Sequence, residues 1–382
     1  MDRNELRTLA AALVEVPSVN PLDGPIGDER GEARLAALIA TRLKEAGIEC
    51  ELREALPGRP NVVARVAGHS DEVVWFDAHA DTVGVEGMAF PPFEASIEGD
   101  RLRGRGAADN KGSLAAMMAA LMDVARSGVK PPATIVFTAT ADEEHTMRGL
   151  LSLLEGGMTA KAGIVGEPTA LEIIIAHKGV SRFKISTSGK AVHSSRPDEG
   201  VNAIYRMGKV LTALEHYAKG GVGRETHPLL GRATLSVGVI RGGEYVNVVP
   251  DRCEIDIDRR LLPGEDSRKA VADVRDYLSN ALKEDVGLKV GHLGLVVPGM
   301  SIVSDTPLVQ AVAAAVREVT GKAPFSGMQG ATHAGQMMAL GIPAIVFGPG
   351  PTGQSHTATE ELDLNQLEQA AAVYERLMRT AL

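Results

Sequence analysis

Two histidines and several carboxylates in this chain stand directly after short apolar runs. Val73–Phe76 leads into Asp77-Ala78-His79-Ala80-Asp81-Thr82, and Thr134–Thr138 into Asp142-Glu143-Glu144-His145. Ala162–Val165 is followed by Gly166-Glu167-Pro168-Thr169, and Ala344–Phe347 by Gly348-Pro349-Gly350 and then His356. A fifth candidate, Asp109, lies in Gly104-Arg105-Gly106-Ala107-Ala108-Asp109-Asn110-Lys111-Gly112, just before a helical pattern. Apolar runs of this length read as buried strands, and open α/β sheets bind ligands at the carboxyl ends of their strands. Each run therefore delivers a His or a carboxylate to the same edge. Gathered carboxylates repel and shift one another's pKa values unless cations neutralise them. Two imidazoles with three or four carboxylates form a ligand set for a divalent ion, zinc foremost. With so many anionic donors, a pair of ions sharing one carboxylate is favoured over a single ion. Such pairs lie ~3.5–4 Å apart and activate a shared water for hydrolysis.

The spacings fit that chemistry. His79 and Asp81 are two residues apart, so on an extended chain they face the same way. Asp81 is expected to hold the second ring N–H of His79 and fix its tautomer. Glu143 and Glu144 are adjacent and diverge where the strand ends, so that one can bind metal while the other reaches the water as general base. Alone, each motif is ordinary: Asp109 would be a helix N-cap and Glu143-Glu144 a solvated turn. Their joint placement at strand ends carries the reading. Other motifs fail. Gly348-Pro349-Gly350-Pro351-Thr352-Gly353 matches a dinucleotide fingerprint in letters, but its prolines and the lack of a following helix break the required context. No phosphate-binding loop of the Walker type and no Gly-x-Ser-x-Gly nucleophile turn is present.

The elements that must position these groups alternate. Helical periodicity runs over Arg30–Ala46, Gly112–Arg126 and Met147–Leu154, between the strand-like runs Asn61–Val66, Val73–Phe76, Thr134–Thr138, Ala162–Val165 and Leu171–Ala176. From about His177 the order becomes β-α-β-β-α-β: Ser181–Thr187, Val201–Tyr217, Ala233–Ile240, Arg252–Arg259, Ser267–Lys283 and Leu288–Leu293. That is the order of a ferredoxin-like split unit. Helices over Leu308–Thr320, Thr332–Leu340 and Leu364–Leu382, and a strand over Ala344–Phe347, then restore the first pattern. The expected architecture is α/β, with residues 1–177 and 295–382 forming one discontinuous domain and 178–294 a smaller α+β domain inserted in it.

Composition narrows the function. The 382 residues are 44% hydrophobic and 23% charged, an ordinary globular profile. The formal charge of −9 opposes binding to nucleic acid or an anionic membrane surface. The longest apolar run, Leu114–Met122, is too short to span a bilayer. Asp2 and Glu5 sit where a signal peptide would be basic. Two distant cysteines, Cys50 and Cys253, suit a reduced compartment, so a cytoplasmic protein is expected.

Taken together, His79-Ala-Asp81-Thr, Gly104-Arg-Gly-x-x-Asp109-x-Lys111-Gly, Asp142-Glu143-Glu144, Gly166-Glu167-Pro-Thr and Gly348-Pro-Gly with His356 resemble the dinuclear zinc aminoacylase and deacylase metallopeptidase family. The family includes acetylornithine deacetylase, succinyl-diaminopimelate desuccinylase, aminoacylase and glutamate carboxypeptidase. The inserted region matches it through Gly189-Lys-Ala-Val-His193-Ser-Ser-x-Pro197, Gly200-Val-Asn-Ala-Ile204 and Asn247-Val-Val-Pro250. The resemblance implies a zinc-peptidase-like α/β/α catalytic domain with a ferredoxin-like lid that carries a homodimer interface. It implies two Zn2+ per subunit, with Co2+ or Mn2+ as substitutes. Asp109 would bridge them, His79 and Glu167 completing one shell and Glu144 and His356 the other. Asp81 would orient His79, and Glu143 would be the general base. His193 would reach the partner subunit's site to polarise the scissile carbonyl. Arg260 would bind the substrate carboxylate, with Asn247 and Thr332 as further substrate contacts. The implied activity is hydrolysis of an N-acyl amino acid, with a dipeptidase or carboxypeptidase as the alternative. One departure stands out: the family often has Thr-Asp-Ala where this chain has Thr332-His333-Ala334.

Overall fold

A computed structural model describes residues 2–27, 31–220, 222–282, 285–380 and 382. Arg30 and Lys283, expected as helix ends, lie outside the described residues. The chain divides into two compact units, one of residues 1–175, 302–326 and 332–382, the other of residues 176–301 and 327–331. The second unit extends past the expected boundary at 294, because its last long strand runs on to Val297.

In chain order the first unit begins with α1 (Arg3–Val14), α2 (Ala33–Glu45), β1 (Glu49–Leu56), β2 (Arg59–Val66) and β3 (Ser70–His79). It continues with β4 (Ser96–Glu98), β5 (Arg101–Arg103), α3 (Lys111–Arg126), β6 (Ala133–Thr140), α4 (Arg148–Glu155), β7 (Ala162–Val165) and β8 (Ile173–His177), the last of which carries the chain out of the unit. The main sheet has the order β1-β2-β6-β3-β7, then a strand over Ala344–Val346, then β8. β3, β6 and β7 run parallel, and β2 pairs antiparallel with β6. β6 is buried along its whole length, as its unbroken run of apolar and small residues requires of a strand covered on both faces. Strand alternation shows what covers them. Phe76 meets Tyr374 edge-on, with centroids 6.1 Å apart, while the neighbouring Asp77 turns the other way to His333. These two partners belong to different helices on opposite faces, which makes the layers α/β/α. The expected apolar run Leu114–Met122 is the middle of α3, buried on nearly every side, and so a core helix.

The second unit holds β9 (Gly179–Ser188), α5 (Ala203–Lys219), β10 (Val222–His227), β11 (Gly231–Gly242), β12 (Arg252–Leu261), α6 (Ser267–Ala281), β13 (Lys289–Val297) and β14 (Met300–Ser301). Its sheet runs β13-β9-β12-β11 with every neighbouring pair antiparallel, the split β-α-β arrangement, and β10 is added beyond β11. The alternating burial of β12 explains the pattern: Cys253, Ile255 and Ile257 face a core with Phe183, Met207 and Val274, and the intervening residues are charged. The first unit then resumes through α7 (Pro307–Thr320), the start of β15 (Phe325–Met328, whose last two residues belong to the second unit), α8 (His333–Ala339), β16 (Ala344–Val346), β17 (Glu361–Asp363) and α9 (Leu364–Met378). β17, β5 and β4 make a separate three-stranded sheet.

Candidate metal centre

β3 is longer than its apolar core, so His79 is its last residue, paired in register with Thr140 at the end of β6. The ring is buried. Nδ1 donates to the backbone carbonyl of Asp81 at 3.0 Å, and Nε2 lies 3.0 Å from Asp109 Oδ1 and 4.0 Å from Glu167 Oε2. His356 Nε2 lies 3.0 Å from Glu144 Oε1 and 3.4 Å from Asp109 Oδ2. Asp109 therefore stands between two groups, His79 with Glu167 and His356 with Glu144, and the donor atoms of each trio with Asp109 lie within 4.8 Å of one another. Two imidazole nitrogens and three carboxylates facing inward is the donor chemistry of a divalent-cation site.

The electrostatics fit that use. Burial disfavours a charged His79, but hydrogen bonds to Asp109 and Asp81 and the charges of Glu167 and Glu143 outweigh it and raise its pKa well above the usual imidazole value. Hydrogen bonds to Asp109 and Glu144 push His356 up to about 10. Burial, with Asp109 and Glu143 adding repulsion, raises Glu144 to about 7 against the pull of His356. Without a cation, protons hold these donors together. Cation uptake should therefore release protons, and affinity should rise with pH through the neutral range as Glu144 loses its proton near pH 7. Calorimetric titration in buffers of different ionisation enthalpy reads this directly. A pH-independent affinity would contradict it.

Asp81 touches more than His79. Its carboxylate is 3.5 Å from His79 Nδ1, and its backbone carbonyl makes the closer contact with the ring. The carboxylate also accepts the backbone N–H groups of Glu143 and Glu144, both at 3.0 Å, so it builds the turn that carries the candidate base and a candidate metal donor. Burial works against its charge, yet the nearby His79 and the bonds from Asn20 and Glu144 bring its pKa down to about 2. The turn itself starts at Asp142, whose φ of 68° is a left-handed conformation that aspartate tolerates.

Several supporting residues carried no sequence signal. Asn20 Nδ2 donates to Asp81 (2.7 Å) and to Asp142 (3.1 Å). Arg59 pairs with Glu32 through two bonds of 2.5 and 2.7 Å and with Asp142 at 2.9 Å, all three being buried. Glu360 accepts the backbone N–H groups of Gly106, Ala108 and Asp109 and is paired with Arg105 at 2.7 Å, which fixes the loop that presents Asp109. A glutamate and an arginine that meet only after folding look like any surface charges in sequence. Removing one partner from a buried pair costs about 3–5 kcal/mol. Arg59→Met should therefore lower the urea midpoint substantially and slow turnover through the Asp142 turn, and an unchanged midpoint would remove Arg59 from the support of the site.

The remaining expected residues are placed as follows. Thr332 is buried, and its hydroxyl caps α8 by accepting from Ala334 N. His193, Asn247 and Arg260 belong to the second unit. His193 is exposed, its Nδ1 2.8 Å from Ser195 Oγ, and the carbonyl of Asn247 accepts from Ser194 N at 3.0 Å. Arg260 lies on β12, with Nε donating to Asp258 at 2.7 Å.

The sequence model of peptidase family M20/M25/M40 matches residues 75–380. The chain belongs to that family. It is 31% identical over 376 residues to the acetylornithine deacetylase of Vibrio campbellii, covering 96% of both chains. It is 27% identical over 399 residues to the N-formyl-4-amino-5-aminomethyl-2-methylpyrimidine deformylase of Halalkalibacterium halodurans, covering 96% of this chain and 92% of that one. An M20-family metallo-carboxypeptidase of Sulfolobus solfataricus superposes over 99% of each chain with a TM-score of 0.80 at 19% identity. A dinuclear metal-binding M20 peptidase of Bacillus subtilis covers 99% of this chain and 97% of its own, with a TM-score of 0.71 at 18% identity. At those identities the two superpositions bear on the fold. The family resemblance and the α/β fold expected from the strand-end motifs are thus borne out.

Proposed function

We propose that this M20-family chain hydrolyses the amide bond of an N-acyl amino acid, using two zinc ions held by His79, Asp109, Glu144, Glu167 and His356. The observation that carries the proposal is Asp109 placed between two His–Glu pairs, with Glu143 on the same turn as Glu144. When bound, such a pair of cations lowers the pKa of a shared water towards ~7 and polarises the acyl carbonyl. Glu143 then takes the water's proton while the oxygen joins the acyl carbon. The C–N bond breaks, and Glu143 returns the proton to the departing amine nitrogen. Burial, with the charges of Asp81 and Asp109, raises the Glu143 pKa against the pull of His79 and His333, which suits a group that both accepts and donates a proton. Arg260 anchors the substrate carboxylate, since its guanidinium keeps N–H donors beyond those given to Asp258.

The free amine and carboxylate products are ordinary small metabolites, and the two thiols, Cys50 and Cys253, are both unpaired, which supports a reducing cytoplasmic setting. No helix among the described residues is long and apolar enough to cross a membrane. We assign the second unit a homodimer interface. Tyr205, Tyr245 and Val246 are largely or fully exposed beside Ile204 and Val248 around a groove of about 810 Å³. β10 pairs with β11 only near its start, and among the described residues no strand pairs with the far part of that edge, where an antiparallel copy of itself would fit.

A hydrolysis screen of zinc-, cobalt- and manganese-loaded protein with acetyl, succinyl, formyl and dipeptide substrates tests the activity. Preference for dipeptides would replace the deacylase reading with a peptidase one, and inertness towards all would end both. The proposed role of His193 has its own test. Mixed dimers of Glu143→Ala and His193→Ala subunits should regain activity well above either parent, since one composite site is intact. No recovery would mean that His193 does not act across subunits.

A further inference from the structure

β12 and β9 lie side by side in the second unit, and strand alternation gives the pair two faces. Phe183 and Ile185 of β9, with Ile255 and Ile257 of β12, face the core. The opposite face is charged, and on most of it each cation has a carboxylate oxygen to itself. Arg252 and Lys184 take the two oxygens of Glu254, and Arg241 takes Oδ2 of Asp256. Asp258 breaks this pattern. Arg182, directly opposite it on β9, reaches Oδ2 through Nε at 3.2 Å. Arg260, two residues along β12, reaches Oδ1 through Nε at 2.7 Å and the same Oδ2 through Nη2 at 3.3 Å. Two guanidinium groups thus meet on one oxygen, and one positive charge is left over where like charges repel. Each guanidinium has five N–H donors, and these bonds use a side edge of Arg260 and the Nε of Arg182, leaving donors on both terminal edges. With 42% and 31% of their side chains exposed, Arg182 and Arg260 are both within reach of a ligand. Burial and the charges of Arg260 and Arg259 lower the pKa of Lys178, a further mark of uncompensated positive charge in this region.

We infer that Arg182 is the second half of the substrate's carboxylate anchor: Arg182 and Arg260, held side by side on Asp258, grip the free carboxylate of the N-acyl amino acid between their remaining N–H groups. This deepens the hydrolytic reading above, in which Arg260 holds that group, and rests on it. Asp258 is the positioning residue. It draws two like-charged groups together from adjacent strands and offsets only one of their two charges. The site is therefore matched to a singly negative, planar, two-oxygen ligand, and a carboxylate takes parallel N–H donors of this kind. A neutral amide or ester in place of the carboxylate leaves the extra charge unmet. No bond forms or breaks here, so Arg182 acts on binding rather than on turnover.

The test uses full-length, zinc-loaded protein labelled with 15N at arginine, in the Glu143→Ala background so that the ligand is not consumed. The guanidinium signals of Arg182 and Arg260 are assigned by their loss in Arg182→Gln and Arg260→Gln. Titration with N-acetyl-L-alanine should move both sets of signals, and titration with N-acetyl-L-alanine amide should move neither. With Glu143 intact, Arg182→Gln should raise KM for N-acetyl-L-alanine by ~10–100-fold, the loss of one charged hydrogen-bonding partner, while kcat falls far less. Arg182→Lys, which keeps the charge but not the planar fork, should lie between the two. A shift confined to Arg260 leaves the single anchor standing and overturns the paired one. Equal weakening of acid and amide in Arg182→Gln would reduce Arg182 to holding Asp258, and an unchanged KM would remove it altogether; either result overturns the inference. If the protein turns over no N-acyl amino acid, the hydrolytic reading fails, while the titration still decides whether Arg182 holds a carboxylate.

Discussion

Glu143→Ala is expected to lower kcat by ~10²–10⁴-fold, the range for loss of a positioned general base, and to retain the full zinc content of the parent protein. The argument is geometric. The trios that share Asp109 use Glu144 and Glu167, with the two histidines, as the remaining donors, and they need no contribution from Glu143. Its backbone N–H is fixed by Asp81 at 3.0 Å, so truncating the side chain leaves the turn and the neighbouring Glu144 in place. A third grouping, His79 with Glu143 and Glu144, sets the competing outcome. If Glu143 serves there as a metal donor, the alanine variant loses metal together with activity. Turnover and elemental zinc measured on the same sample separate the two roles. Loss of about one zinc per subunit would transfer Glu143 from base to ligand and leave the reaction without an assigned base.

Most of the candidate donors are legible in sequence because they follow a local signal, an apolar run that stops at a polar residue. His79, Glu167 and the Glu143-Glu144 pair all sit within a few residues of a buried strand end. What holds them is not local. Asp81 reads as a partner of His79 from its two-residue spacing, yet its carboxylate supports a turn some sixty residues away in sequence, a pairing that only the parallel register of β3 and β6 creates. Glu32, Arg59 and Glu360 are invisible for the same reason. β1 escapes detection differently: it is an edge strand, mostly exposed, and its residues Glu49-Cys-Glu-Leu-Arg-Glu-Ala-Leu56 show no apolar run because only one neighbour, β2, covers it. The three-residue strands β4, β5 and β17 are too short to show any period at all.

Replacing Asp109 should have the opposite signature from replacing Glu143. Asp109 Oδ1 faces His79 and Oδ2 faces His356, so each oxygen serves a different group of donors. In Asp109→Ala both groups lose their shared carboxylate. His79 with Glu167, and His356 with Glu144, are then left as two-donor sites, short of the three or more protein ligands a catalytic zinc needs. Both zinc ions should be lost and activity should be undetectable, whereas Glu167→Ala or His356→Ala should weaken one site before the other. Asp109→Asn is the sharper variant. It keeps the size of the side chain and one oxygen, but it removes the negative charge and presents an amide nitrogen, which cannot bind a cation, to one of the two groups. Occupancy close to one zinc per subunit is therefore expected, with the loaded site identified by whether His79 or His356 retains its metal-shifted 15N resonance. Retention of both ions in Asp109→Ala would show that the two groups are independent, and the proposal of a shared water between them would then have no structural basis.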